Sequence, residues 1–337
     1  MFNEPRAILF GCAGETLSDD ERAFFRDADP LGLILFQRNC LAPEQLRALI
    51  ADFRDCVGRG DAPVLIDQEG GRVARLKPPA WRRYPAPARL AALPDAVDAA
   101  RLGARLIADD LAALGITVDA MPVLDLSIPG ASDVIGDRAY GGDPALVARL
   151  GRAACDGLLQ GGVLPIVKHI PGHGRARVDS HKALPRVETP ARVLAETDFA
   201  PFRVLHDTPW AMTAHVVYTA IDPVEPATLS RKVIGTVIRG NIGFDGMLVS
   251  DDINMGALIG TMMGKVSGVL AAGCDAVLHC SGVLGEMREA AAVTAPLTPA
   301  AAARVARGEA LRLASRRDFD RRDAEARFDA MIGTLVT

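Results

Sequence analysis

Residues able to carry charge or move protons fall in this chain at the ends of short apolar runs. Asp67, Gln68 and Glu69 follow Val64-Leu65-Ile66, and Asp125 follows the run 117–124. Lys168 and His169 end Pro165-Ile166-Val167, and His215 ends the run from Ala211. Ser250, Asp251 and Asp252 follow Met247-Leu248-Val249. A buried charge without a partner costs several kcal/mol, so packing does not account for five such segments ending alike. Carboxylates, a lysine and imidazoles gathered at strand ends are equipment for proton transfer and charge stabilisation, and they predict an enzyme site.

The densest stretch runs from Lys168 to Lys182 and holds three of the six histidines. His169 and His173 have the four-residue spacing of a zinc helix, but Pro171, Gly172 and Gly174 forbid a regular helix, so no metal is expected. The glycines and proline describe instead a strand that becomes a mobile loop. Asp179 and His181, two apart on that loop, point the same way if it is extended. A carboxylate bonded to the imidazole would set its tautomer and raise its basicity. Two solvated loop residues are the simpler alternative.

The elements that must position these groups follow from the apolar pattern. Eight candidate strands lie at 7–13, 31–36, 63–67, 117–124, 165–169, 211–217, 247–251 and 276–280. Several are continuously apolar, which suits a parallel sheet covered on both faces. Between them lie helical signals: Pro43 at a helix start, an Ala- and Leu-rich stretch 95–114 before Gly115, Asp143-Pro144 opening a helix that closes at Gly161-Gly162, and Thr189-Pro190 opening one towards His206. Alternation of this kind predicts an α/β chain with one (β/α)₈ barrel across residues 1–337. The tail 297–337 is expected to be helical and packed on the barrel or a partner subunit. In such a barrel, the C-terminal strand ends form the active face.

Composition narrows the function classes. The 337 residues carry 38 Lys+Arg and 42 Asp+Glu, a formal charge of −4, which argues against a nucleic-acid partner. No run reaches the ~18–20 apolar residues of a membrane span, and the N-terminal apolar run is too short for a signal peptide. A soluble cytoplasmic protein, monomeric by preference, is the expectation. The six cysteines form no C-x-x-C pair and are expected to be buried thiols. No glycine-rich phosphate motif follows a strand, so no nucleotide cofactor is indicated.

Four segments together resemble the family 3 glycoside hydrolases. Asp67-Gln68-Glu69-Gly70-Gly71-Arg72-Val73 resembles D-x-E-G-G-R-V, and Gly136-Asp137-Arg138-Ala139-Tyr140 resembles G-D-R-(S/A)-(F/Y). Lys168-His169-Ile170-Pro171-Gly172-His173-Gly174 with Asp179-Ser180-His181 resembles the K-H-F-P-G-H-G…D-S-H of the β-N-acetylglucosaminidase branch. Ser250-Asp251-Asp252-Ile253-Asn254-Met255 resembles S-D-D-L-S-M, which carries the family nucleophile. The form is similar to the compact bacterial branch of peptidoglycan recycling. The resemblance implies Asp251 as nucleophile and the dyad Asp179–His181 in place of a carboxylic general acid. It implies Asp67, Arg75, Arg138, Lys168 and His169 as sugar ligands, His215 as a further pocket residue, and no metal or organic cofactor. The expected substrate is a small amino-sugar glycoside, a GlcNAc–anhydro-muramyl fragment with or without peptide. Two departures stand out: Asn254-Met255-Gly256-Ala257 lacks the Glu of S-M-E-G-A, and Arg175 and Arg177 make the dyad loop unusually basic.

Glycoside cleavage needs a nucleophile on one face and a proton donor at the leaving oxygen, and these residues supply both for a retaining reaction. On this view Lys168 and the two pocket arginines hold the pKa of Asp251 low. A phosphorylase using the same residues, a sugar-binding barrel without turnover and a metal-dependent hydrolase are the alternatives.

Overall fold

The computed structural model describes residues 4–333; residues 1–3 and 334–337, including the last four of the expected tail, lie outside the described part. Eight strands close into one parallel barrel: β1 (Arg6–Phe10), β2 (Pro30–Leu35), β3 (Val64–Ile66), β4 (Val118–Asp119), β5 (Leu164–Ile170), β6 (Trp210–Thr213), β7 (Met247–Asp252) and β8 (Ala276–His279). Each pairs with its neighbour in sequence, and β1 closes on β8 with Ile8 opposite Val277. All eight expected strands therefore enter the barrel. The continuous apolarity reflects two cores. Leu9, Leu65, Ile166, Val249 and Leu278 fill the barrel interior, while Ile8, Val64, Val167, Leu248 and Val277 alternate with them and pack outward. Covering both faces is what a parallel strand requires.

The outer layer contains α1 (Asp19–Ala28), α2 (Pro43–Val57), α3 (Ala96–Ala112), α4 (Pro144–Gln160), α5 (Met262–Ala272), α6 (Leu284–Val293), α7 (Pro299–Ser315) and α8 (Arg321–Ile332). In α2 the proline sits at the first turn, Leu46, Leu49, Ile50 and Phe53 form the buried stripe, and Gly58 ends the helix at φ 63°. A π-type helix, Val233–Ile242, stands before β7 and was not marked in the sequence. The tail packs on the barrel. Leu297 and Ala301 join the interior cluster, and Phe328 of α8 is buried beside Gly103 of α3.

Three segments differ from expectation. The strand anticipated over 117–124 pairs continuously only at Val118–Asp119, because Pro122 offers no N–H to a ladder. The helix anticipated from Thr189 to His206 breaks into Ala191–Glu196 and Ala200–Val204. There the Thr197 hydroxyl bonds back to the Val193 carbonyl, Asp198 turns inward, and Pro201 lacks a donor for the earlier turn. The short turn 256–260, where the family Glu is missing, ends at Thr261, whose side chain caps α5 at Gly264 N.

The barrel wall tolerates little added volume where α3 meets α4. A Cβ on Gly157 would lie 2.2 Å from the Arg101 carbonyl oxygen and 3.0 Å from Ala104 Cβ. Alanine is the better helix former by about 1 kcal/mol, but overpacking typically costs ~1–3 kcal/mol. Gly157→Ala is therefore expected to lower the thermal midpoint. A midpoint at or above that of the parent protein would show that the two helices yield freely.

Candidate active site

The polar residues at the strand ends meet at the mouth of the barrel. A cavity of about 650 Å³ is lined by Asp67, Arg75, Arg138, Lys168, His169, His173, Asp179, His181, Asp251 and Asp252, among others. Eight of the nine residues anticipated from the sequence thus face one space; His215 does not. Phe36, Met212 and Leu278 supply apolar wall, and the Arg75 guanidinium lies over the Phe36 ring at 5.4 Å.

Beneath the cavity lies a buried ionic network. Lys168 Nζ donates to Asp67 Oδ1 at 2.8 Å and pairs with Glu69 Oε1 at 2.6 Å. Arg75 Nη2 reaches Asp67 Oδ2 at 3.0 Å. Arg138 grips Glu69 with two bonds of 2.8 Å, from Nε and Nη2, and donates from Nη1 to the Val134 carbonyl at 3.1 Å. Burial alone would raise both carboxyls. For Asp67, Lys168 and Arg75 outweigh it and hold the group well below the usual range. For Glu69, Arg138 and Lys168 do the same and hold it near about 2. The acidic signature thus contains a pair that the sequence did not separate: Asp67 reaches the cavity wall, while Glu69 anchors Lys168 and Arg138.

His169 is held by Asp125, a strand-end carboxylate that the sequence marked without a role. His169 Nδ1 lies 2.6 Å from Asp125 Oδ2, and Asp125 Oδ1 accepts from the backbone N–H of His173 at 2.6 Å. With Nδ1–H bonded to the carboxylate, Nε2 is left towards the cavity. The His169 and His173 rings meet edge to face, 5.7 Å between centroids. Among the described residues no group of three His, Cys, Asp or Glu has the arrangement of a metal site.

Asp251 and its neighbour sit in different fields. Burial pushes the Asp251 carboxyl up, but His169, His215, the Asp252 amide donating at 2.8 Å, and Lys168 together hold it below the usual range. The pocket arginines, expected to share this task, are engaged with Asp67 and Glu69 instead. Burial, reinforced by the charge of Asp251, pushes Asp252 to about 6 against the amides of Asn254 and Cys280. His215 corrects its expected place as a cavity residue. Its Nε2–H donates to the Asp252 carbonyl at 3.0 Å, and its Nδ1 accepts from Thr228 at 2.8 Å. Burial lowers the pKa of the ring, and the ring props the backbone that presents Asp251.

The dyad forms, but in a turn rather than an extended loop: the N–H groups of Lys182 and Ala183 both bond to the Asp179 carbonyl. Asp179 Oδ1 lies 2.9 Å from His181 Nδ1 and accepts the His181 backbone N–H at 2.9 Å. Burial opposes ionisation of Asp179, but the bonds and charge of His181 and the charge of Lys182 together outweigh it and leave its pKa below the ordinary value. The His181 side chain is 64% exposed, so the dyad stands on the surface of the loop. Ser180, between the two, pairs with His173 Nε2 at 3.1 Å. Gly172 has φ 139°, as a conformationally free glycine should. Gly174 is needed for space rather than angle, since a Cβ there would lie 2.1 Å from the Leu126 carbonyl oxygen. All six cysteines are free and buried, away from this chemistry except for Cys280 at the cavity edge.

Comparison with known proteins gives the same picture. The model of the glycosyl hydrolase family 3 N terminal domain matches residues 11–307. A protein of Alkalilimnicola ehrlichii named beta-hexosaminidase is 41% identical over 284 residues, covering 81% of this chain and 80% of its own length. The structure of NagZ from Neisseria gonorrhoeae in complex with N-trifluoroacetyl-D-glucosamine has a TM-score of 0.86 at 31% identity, covering 98% of both chains. A glycoside hydrolase family 3 β-N-acetylglucosaminidase from Paenibacillus gives 0.82 at 34% identity; the match covers 93% of this chain and 62% of that longer one.

The network makes a stability prediction with a defined sign. Arg138→Leu strips Glu69 of its bidentate partner and is expected to cost about 3–5 kcal/mol at pH 7, the usual penalty for breaking a buried pair. Without the guanidinium, burial dominates and the Glu69 pKa rises. In the parent protein the Glu69 contribution is present above its unfolded pKa and is lost only as pH falls towards about 2. The variant instead relieves its penalty by taking up a proton, so the stability gap should narrow between pH 7 and pH 4. Urea unfolding at both pH values measures it; a gap that is constant or widens on acidification would contradict the assignment.

Proposed function

The chain belongs to glycoside hydrolase family 3, and on that premise we propose that it is a retaining exo-β-N-acetylglucosaminidase working through a covalent Asp251 adduct. It is a glycoside hydrolase of the β-N-acetylhexosaminidase kind. The observation that carries the mechanism is that Asp251, half-buried and ionised, and His181, exposed and oriented by Asp179, face one cavity. Asp251 attacks the anomeric carbon while His181 Nε2–H protonates the departing oxygen. The Asp179 bond at Nδ1 keeps Nε2 as the working nitrogen throughout. The same nitrogen, now unprotonated, takes a proton from water as that water displaces Asp251 from the sugar. Asp67, Arg75, Arg138, Lys168 and His169 are the proposed ligands of the sugar hydroxyl and acetamido groups, with their remaining donors and acceptors. The proposed substrate is GlcNAc joined to an anhydro-muramyl sugar, with or without peptide, which would place the enzyme in cytoplasmic peptidoglycan recycling. No helix among the described residues is long and apolar enough to cross a membrane.

Release of nitrophenol from the N-acetyl-β-glucosaminide, against the plain β-glucoside, tests the substrate class; equal rates would remove it. A product that becomes the sugar phosphate when phosphate is added would favour the phosphorylase instead. Asp251→Ala is expected to lower kcat by about a thousandfold or more, and a 2-fluoro glycosyl inactivator should label Asp251. Label on Asp252 would overturn the nucleophile. His181→Ala is expected to slow sugar-linked substrates by about 10²–10⁴, slow nitrophenyl substrates less, and respond to azide. An equal loss on both with no azide effect would leave His181 a sugar ligand only.

A further inference from the structure

Behind the dyad loop lies a second cavity, of about 400 Å³, with three arginines in its wall: Arg175, Arg177 and Arg186. The turn 128–131 closes one side, and Glu188 and Thr189 the other. Arg175 is tied down at its root: Nε donates to buried Asp198 at 2.7 Å and Nη2 to Thr197 at 3.2 Å. Its Nη1 is uncommitted. Arg186 spends one nitrogen on the Pro223 carbonyl at 2.7 Å. Arg177 has no ion pair or hydrogen bond among the described residues and is exposed. Counting Glu188 and Asp198 against the three guanidinium groups leaves one positive charge in excess.

Only a thin ridge parts this cavity from the catalytic one. Ser132 lines the catalytic cavity and Ala131 the basic one, and the Ser132 N–H bonds to the Ala176 carbonyl at 2.8 Å, between Arg175 and Arg177. Arg177 is also four residues from His181, on the same loop. In an exo-acting enzyme the terminal sugar fills the space around Asp251. The group leaving through protonation by His181 then lies on the loop side of that space, towards the ridge.

We infer that the Arg175–Arg177–Arg186 cavity binds a carboxylate of the leaving group, so that recognition of an anionic aglycone and placement of His181 occur on one loop. The inference rests on the proposed role of His181 and extends it to the substrate beyond the scissile bond. Guanidinium forks match a carboxylate in plane and in charge, and all three have free donors. An anion held there fixes Arg177 and with it the segment that carries the dyad. This converts aglycone binding into acid positioning, where a neutral aglycone gives no such restraint.

The test compares a β-GlcNAc disaccharide whose second sugar bears a lactyl carboxylate with the same compound as its carboxamide, and both with the nitrophenyl substrate. The parent enzyme should prefer the acid by about tenfold in kcat/KM, equivalent to ~1.4 kcal/mol, and lose that preference as salt is raised. The double variant Arg177→Gln/Arg186→Gln should treat acid and amide alike while its nitrophenyl kcat/KM stays within about twofold. Equal use of acid and amide by the parent enzyme, or a preference that survives the double variant, would overturn the inference. So would a parallel fall on all three substrates, which would make the arginines supports of the loop. Stimulation of nitrophenol release by millimolar inorganic phosphate, absent in the variant, would assign the cavity to a free oxyanion instead. Failure of the underlying reading looks different: the parent enzyme would not release nitrophenol from the N-acetyl-β-glucosaminide at all.

Discussion

A lysine ammonium buried at the mouth of the barrel, between Asp67 and Glu69, is the constraint around which the site is built. Removing such a charge from water is costly, and only close counter-charges with good geometry offset it. Lys168 therefore requires both carboxylates; these in turn require Arg75 and Arg138. The pairs join the end of β3, β5, the antiparallel hairpin of Gln68–Gly70 with Val73–Ala74 and the turn Gly136–Arg138, so one electrostatic demand aligns elements far apart in sequence. Within this group three cations face two anions. The excess charge is balanced by Asp251, which shares the cavity and whose carboxylate Lys168 helps keep ionised. His169 and His215 first, then the Asp252 amide and Lys168, hold that carboxyl below its ordinary range, so the proposed nucleophile is charged before substrate arrives.

The barrel and the loop divide the labour. Lys168, His169 and Asp251 sit on strand ends, where the pleat and the two-sided core restrain them. The dyad sits on a segment whose contacts are few but specific. Arg175 is bound to Asp198, Ser180 to His173, and the carbonyls of Ser180 and His181 accept the N–H groups of Ala257 and Gly256. The last pair ties the loop to the chain just beyond Asp251, so the proposed acid and nucleophile share a support although one stands on a loop and the other on a strand end. The break in the expected helix near residue 197 serves this arrangement, because the turn there directs Asp198 inward beneath the loop.

The barrel was legible because each strand is apolar on consecutive residues, a signature that only double-sided burial explains. The ends of the strands were less so: Pro122 truncates β4, and a helix made of Val233–Ile242 resembles a strand by its β-branched residues. For the site, residue type and position found the cavity, and spacing alone suggested the Asp179–His181 bond. What remained hidden were the supports. Nothing in Asp67-Gln68-Glu69 says which carboxylate faces substrate and which anchors a lysine, since both depend on partners some seventy to a hundred residues away. His215 is the converse case. It ends its run as the others do, but both ring nitrogens are consumed by Thr228 and the Asp252 carbonyl, a fact of packing that no spacing encodes.

The difference in burial between Asp251 and His181 bears on why the acid is an imidazole at all. A carboxylic acid that is to donate a proton near neutrality must have its pKa raised, which takes an apolar, buried setting. Asp252 shows what that requires here: burial and an adjacent carboxylate bring it only to about 6. A group on an exposed loop cannot be given such a setting without being buried, and a buried loop could not clear the mouth for substrate. An imidazole on a surface loop needs orientation rather than burial, which Asp179 supplies through one bond to the ring and another to the His181 backbone. The dyad is thus the form of acid compatible with an exposed loop, while the rim of the barrel is the support compatible with the permanently charged carboxylate proposed as nucleophile.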